Sequence, residues 1–220
     1  MSDESIKSSR RVLEPHERIS EILFGLIMVL TFTGSLSVAE AGRDDIRTML
    51  IGALGCNLAW GIIDGVLYLM ACLADKGRSL MTYQAVRNAI NPQKAHELIA
   101  GALPPLVASV LQPAELETMR QRLLQLPEPP KRAWLSGRDW VGASGVFLLV
   151  FLSTFPVALP FIFMRPVGLA MRASNGIAVV MLFITGVAYG RCVGRSPVAF
   201  GLAMVILGGA LVGLTMVLGG

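Results

Sequence analysis

Apolar residues fall into five long runs, Ile22–Ala39, Met49–Ala74, Val141–Met164, Val167–Tyr189 and Pro197–Gly219, with a polar stretch, 75–138, between the second and the third. A bilayer's hydrocarbon core is about 30 Å thick and a helix rises about 1.5 Å per residue, so each run is long enough to cross as a helix. Few charges interrupt them: Asp64 lies in the second run and Arg172 early in the fourth, while Glu21 and Glu40 bracket the first. The pattern predicts an all-α integral membrane protein, with five transmembrane helices and a helical insertion between the second and third. The expected divisions are 1–20 as a polar N-terminus, 21–74 as two membrane helices, 75–138 as the insertion and 139–220 as three membrane helices.

Within the insertion, Asn91-Pro92 and Gln112-Pro113 each supply a cap followed by a first-turn proline, the signature of a helix start. Leu98, Ile99, Leu103, Leu106, Val107, Val110 and Leu111 give one apolar face, interrupted at Pro104-Pro105; Leu116, Met119, Leu123, Leu124 and Leu126 give another. Each face needs a partner: the other face, the membrane surface or a second subunit. Pro127-Glu128-Pro129-Pro130 cannot continue a helix and reads as a stiff return to the bilayer, where Trp134 and Trp140 suit an interfacial anchor.

Composition agrees with this solvent: 54% of residues are hydrophobic and 15% charged, with a mean hydropathy of +0.63. Orientation follows from the cations, because loops rich in Lys and Arg stay cytoplasmic. Lys7, Arg10, Arg11, Arg18, the insertion's cations, Arg191 and Arg195 fall on one side, leaving Arg43, Arg47, Arg165 and Arg172 on the other. The N-terminus and insertion are thus expected in the cytoplasm and the C-terminus outside. Nothing resembles a cleaved secretory signal or an organelle-targeting leader, so a bacterial inner (cytoplasmic) membrane is the expected location. The net charge of +4 is placed for anionic lipid headgroups rather than nucleic acid. Cys56 and Cys72 stand about 24 Å apart along one helix and cannot bridge within the chain.

The candidate chemistry is sparse. An ionised carboxylate in lipid is costly, so Asp64 is expected to face a cavity or a partner, to carry cargo or a proton, or to stay protonated and bonded to a neighbouring helix. At helical spacing Asn57, Gly61, Asp64, Tyr68 and Cys72 share a face bordered by Trp60. Carboxylate, phenol and thiol on one stripe could pass a divalent cation, or form a packed seam. On the first helix Glu21 stands near one mouth, and Met28 offers a soft thioether or plain packing. Pro156 and Pro160 remove backbone donors from the third helix and predict a kink, as a hinge or as a static bend. Gly61/Gly65, Gly186/Gly190 and Gly209/Gly213 have the spacing of close helix contacts. Asn175-Gly176 is a polar notch in the fourth helix. His16 and His96 sit in polar segments and are expected to be solvated. No phosphate loop, nucleophile elbow, zinc-type spacing or paired catalytic carboxylate appears, so no enzyme and no permanently bound cofactor is expected.

Taken together, the order of runs, Phe155-Pro-Val-Ala-Leu-Pro-Phe161, Phe183-Ile-Thr-Gly-Val-Ala-Tyr-Gly-Arg191 and Gly208-Gly-Ala-Leu-Val-Gly213 resemble the vacuolar iron transporter family. The resemblance implies a homodimer that moves ferrous iron or manganese out of the cytosol, coupled to protons, along a path lined by the first two helices. It places Asp64, Glu21, Met28, Asn57, Tyr68 and Cys72 on that path. Phe24-Gly25-Leu26 stands where the family carries an Asp-Gly-Leu-type motif, with Glu21 the nearest acid, and Tyr68 and Cys72 stand where it carries methionines. The family's insertion binds metal through many glutamates; the candidates here are His96, Glu97, Glu115, Glu117 and Met119. A rival expectation from a different class is a non-transporting membrane scaffold of this fold whose insertion binds a protein or lipid partner.

Overall fold

The computed structural model describes residues 15–34, 43–128 and 130–217. The expectations that rest on Lys7, Arg10, Arg11, Glu40, Pro129 and the final residues of the fifth run lie outside the described residues. All described regular structure is helical: α1 (Pro15–Gly34), α2 (Arg43–Arg87), α3 (Pro92–Ala102), α4 (Pro105–Val110), α5 (Pro113–Gln125), α6 (Gly137–Ser153), α7 (Phe155–Phe163), α8 (Val167–Cys192) and α9 (Pro197–Val217). Among the described residues Leu50–Arg87, Gly137–Phe163 and Val167–Cys192 are long and apolar enough to cross a membrane, and Pro197–Leu211 is a shorter apolar stretch.

The chain divides into two compact units, one of residues 1–68 with 138–220 and one of residues 69–137. In the first, α8 packs against α9, α7 and α1, and α1 also meets α9. Leu26, Val29, Val157, Ala178 and Leu182 form its core. Between helices in lipid there is little hydrophobic driving force, since hydrocarbon is as apolar as leucine, so close packing has to hold them together. Glycine permits that approach. A Cβ at Gly186 would fall 2.7 Å from the Phe200 carbonyl oxygen, and one at Gly190 would fall 2.9 Å from Pro197 Cα. Gly209 and Gly213 instead face open space, so their spacing marks no contact among the described residues.

The third apolar run is two helices. Its ladder breaks at Thr154, two residues before Pro156, which opens α7, while Pro160 sits inside α7. A proline has no N–H to offer the carbonyl one turn back, so two prolines four residues apart leave the helix short of donors on one side. The carbonyls so deprived are those of Leu152 and Pro156. Separately, Ser174 of α8 donates its hydroxyl to the Val157 carbonyl at 2.7 Å and ties the two helices together.

In the second unit, α2 continues as helix past Ala74, where its apolar run ends, to Arg87. Both expected helix starts are present: Asn91 Oδ1 accepts from the Lys94 N–H at 2.8 Å, and the Glu115 carboxylate accepts from the Gln112 N–H at 2.8 Å. Val86, Ala95 and Ile99 form a small core covered by Leu98, Leu103, Leu116, Met119 and Leu123, so the two apolar faces are largely each other's partner. Leu106 and Val110 of α4 are left out of it, 80% and 72% exposed.

Residues 126–128 and 130–136 return along α2 without helical structure, and α2 holds them by side-chain donors. Arg87 donates to the Leu126 carbonyl at 3.0 Å, Tyr83 to Pro127 at 2.9 Å and Gln84 to Pro130 at 3.5 Å. Lys76 Nζ donates to the Trp134 carbonyl at 3.5 Å and to Ser136 Oγ at 3.3 Å. The segment is a strap laid antiparallel on the helix.

Candidate functional site

In the first unit α1, α2 and α6 meet around buried polar groups. Phe24 of α1 lies edge-on against Trp60 of α2, ring centroids 5.5 Å apart. Asn57, one turn before Trp60, donates its side-chain N–H to the Gly25 carbonyl at 3.4 Å. Glu21, one turn before Gly25, lies close enough to Asp64 for their carboxyl charges to interact, and Glu17 adds to the field at Glu21. As the position falls along α1 it rises along α2, so the two helices run antiparallel with Glu21 facing Asp64.

The packing of α2 on α6 follows the same logic. A Cβ at Gly61 would stand 3.1 Å from the Phe147 carbonyl oxygen, one at Gly65 would stand 3.2 Å from that of Ala143, and Gly142 leaves room for the Tyr68 ring. These pairs are antiparallel too. Gly25 closes the triangle: a Cβ there would be 2.6 Å from the Val150 carbonyl oxygen and would run into the Ser153 hydroxyl. The Gly61/Gly65 spacing thus marks a real helix contact, as does Gly186/Gly190.

Asn57 is at the centre of this junction, fully buried, and its amide also donates to the Thr154 hydroxyl. Its carbonyl oxygen Oδ1 and the Asp64 oxygen Oδ2 are buried without a hydrogen-bond partner. A buried acceptor left unpaired costs roughly 1–3 kcal/mol, so folds rarely keep one, and here two lie about 10 Å apart, two turns along the same helix. Two orphaned acceptors on one helix, with Glu21 opposite, offer oxygen ligands for a cation or a proton.

The other expected site residues are dispersed. Met28 is half-buried on α1 one turn past Gly25, and Tyr68 packs over Gly142. Cys72 is half-buried and belongs to the second unit. In the insertion His96 is bonded to Glu117 at 2.8 Å and partly buried, which corrects the expectation of a solvated ring. Glu117 also takes a two-pronged bond from Arg120 and one from Gln121. Together Arg120, His96 and Gln121 hold its carboxyl down at about 2. Glu97 pairs with Lys94 at 2.8 Å, Glu115 caps α5, and Met119 packs on the small core. Among the described residues no three His, Cys, Asp or Glu side chains come together as a metal-holding group.

Sequence reasoning passed over Thr154 and Ser174, both fully buried, and Asp139, a buried acid in the first turn of α6. Thr154 carried one usable signal, a hydroxyl residue in the turn before Pro156, where a helix lacks donors.

A sequence model of the VIT family matches residues 69–220. The chain belongs to the VIT family. The match covers α3 to α9 and the end of α2, so Glu21, Asn57 and Asp64 lie ahead of it. No curated protein matches the chain significantly. Membership, together with its apolar helices, makes this VIT-family chain an integral membrane protein of a metal-ion transporter family, not an enzyme family.

Proposed function

We propose that the protein carries a divalent transition-metal cation, iron or manganese, across a bacterial inner membrane, out of the cytosol and in exchange for protons. One observation carries this reading: Asn57 Oδ1 and Asp64 Oδ2 are buried and unpartnered on α2, with Glu21 of α1 facing Asp64. Ionised, Asp64 supplies a hard oxygen ligand and Asn57 a neutral one; protonated, Asp64 releases the cation and carries the proton back. Glu17 and Glu21 form an acidic approach that concentrates cations. Five crossings, with α1 and α9 as the first and last, would leave the termini on opposite sides, and the Lys and Arg bias favours the N-terminus and insertion in the cytoplasm. The exposed apolar residues of α2, among them Ile51, Ile62, Val66 and Met70, suit lipid or the second subunit of a homodimer.

Reconstituted into liposomes with a pH gradient, the protein should take up ferrous iron or manganese, and Asp64→Asn should fall to the protein-free rate. Undiminished uptake by that variant removes the mechanism. The exposed apolar residues of α4 favour a second reading, a scaffold whose insertion binds a partner. Metal titration separates the two, since a scaffold binds neither ion at micromolar concentration.

A further inference from the structure

In the second unit α2, α3 and α5 border a cavity of about 880 Å³. Small-ligand sites span roughly 300–1,000 Å³, so the apolar faces of the insertion meet without filling the space between them. Val86 and Ile99 of the small core line it together with Leu103, Met119, Leu123 and Leu126. Leu126 is still 51% exposed there. Gly101 lines the cavity too, and a Cβ at that position would meet nothing within 4 Å.

The charged part of the lining is basic. Arg78 and Arg122 stand against one carboxylate, that of Glu97, which Lys94 already holds at 2.8 Å. Among the described residues Arg122 has no acidic partner, and Arg78 has Asp75 at 3.9 Å with both side chains well exposed, a pairing worth little in water. Ser79 and Thr82 add two hydroxyls from α2. An apolar wall bordered by guanidinium groups fits an apolar body with an anionic head, since a guanidinium offers a fork of N–H donors to a carboxylate. Arg78 lies four residues, about 6 Å, beyond Ala74, so the α2 wall begins where the apolar run ends and headgroups lie. The size suits one chain better than the two of a phospholipid.

We propose that this cavity binds a long-chain carboxylate, a fatty acid taken from the surrounding bilayer, with its chain against Leu103, Leu123 and Leu126 and its head on Arg78 and Arg122. The chain completes the packing between α3 and α5 that the small core leaves open. The site is independent of any metal path.

The test uses the full-length protein in phosphatidylcholine nanodiscs with palmitate that carries a photoreactive diazirine on its chain, irradiated and mapped by peptide mass spectrometry. Label should appear on peptides of residues 79–86, 98–103 and 119–126, displaced by excess palmitate but not by hexadecanol, which has the chain without the charge. Arg78→Gln with Arg122→Gln should cut this labelling roughly tenfold or more. Arg78→Lys with Arg122→Lys should keep most of it, which separates charge from folding. Gly101→Trp puts a large side chain into the open space and should abolish it. Label on the membrane spans, which lipid reaches in every variant, should stay the same and reports an intact fold. The proposal is overturned by label confined to the spans, by equal displacement with hexadecanol, by unchanged insertion label in Gly101→Trp or the double Gln variant, or by its loss in the Lys pair. Labelling of monomeric protein alone overturns it as well, since a second copy then fills the cavity.

Discussion

Asn57 of α2 donates its side-chain amide to the hydroxyl of Thr154, the single residue between α6 and α7, at a point where Gly25 of α1 also accepts from it. A side chain from mid-helix thus bonds at once to α1 and to the junction between α6 and α7. Thr154→Val removes one acceptor while keeping the shape, and should destabilise the detergent-solubilised protein by about 1–3 kcal/mol. Combining it with Asn57→Leu should cost less than the sum of the two single changes, measured as thermal unfolding in a double-mutant cycle.

Glycine contacts give a prediction with a built-in contrast. Gly25→Ala pushes a methyl group towards the Val150 carbonyl, which is backbone and cannot swing aside, so the cost should be roughly 1–3 kcal/mol. Gly209→Ala meets nothing within 4 Å and should gain up to about 1 kcal/mol from helix propensity. Opposite shifts of the unfolding midpoint are expected; destabilisation of similar size in both would remove the three-helix junction as the cause.

Acid should act on the insertion through Glu117. Its folded carboxyl sits at about 2 against an ordinary 4.5, so the folded state binds fewer protons than the unfolded one. The resulting stabilisation is full above about 4.5 and is lost as the pH falls towards about 2. Glu117→Gln should lower the unfolding midpoint near neutral pH, and its gap to wild type should narrow across that window. A gap that stays constant would mean the carboxylate's charge does not matter.

Releasing the strap should be visible without unfolding the rest. Tyr83→Phe removes the bond to the Pro127 carbonyl and the one that its hydroxyl accepts from Arg87, each worth about 0.5–1.5 kcal/mol. Hydrogen exchange of the amides at 131–136 should accelerate a few-fold, while exchange within α5 stays as it is.

The insertion's helices were legible because their starts are written locally, in Asn91-Pro92 and Gln112-Pro113, and a cap needs only its own neighbours. The end of α2 was not. Hydropathy reports where a chain leaves lipid, and the polar residues after Ala74 continue the same helix to Arg87. In the candidate site, Asp64 and Asn57 stood out as polar residues in an apolar run. Glu21 facing Asp64, Thr154 beneath Asn57 and His96 against Glu117 arise from helix pairing, which no spacing within one segment encodes. The Gly209/Gly213 spacing misled for the same reason: small residues permit a contact but do not supply the neighbour.

The hydrogen bonds from Lys76, Tyr83, Gln84 and Arg87 to residues 126–128 and 130–136 end on main-chain oxygens or on the Ser136 hydroxyl. A proline-rich stretch has few amide hydrogens to give, and carbonyls are what it retains. Recognition of this segment is therefore blind to most of its side chains. Exchanges at Glu128, Lys131 or Ala133 should leave the docking intact, whereas α2 has little freedom at Lys76, Tyr83, Gln84 and Arg87, so the helix rather than the loop carries the sequence constraint.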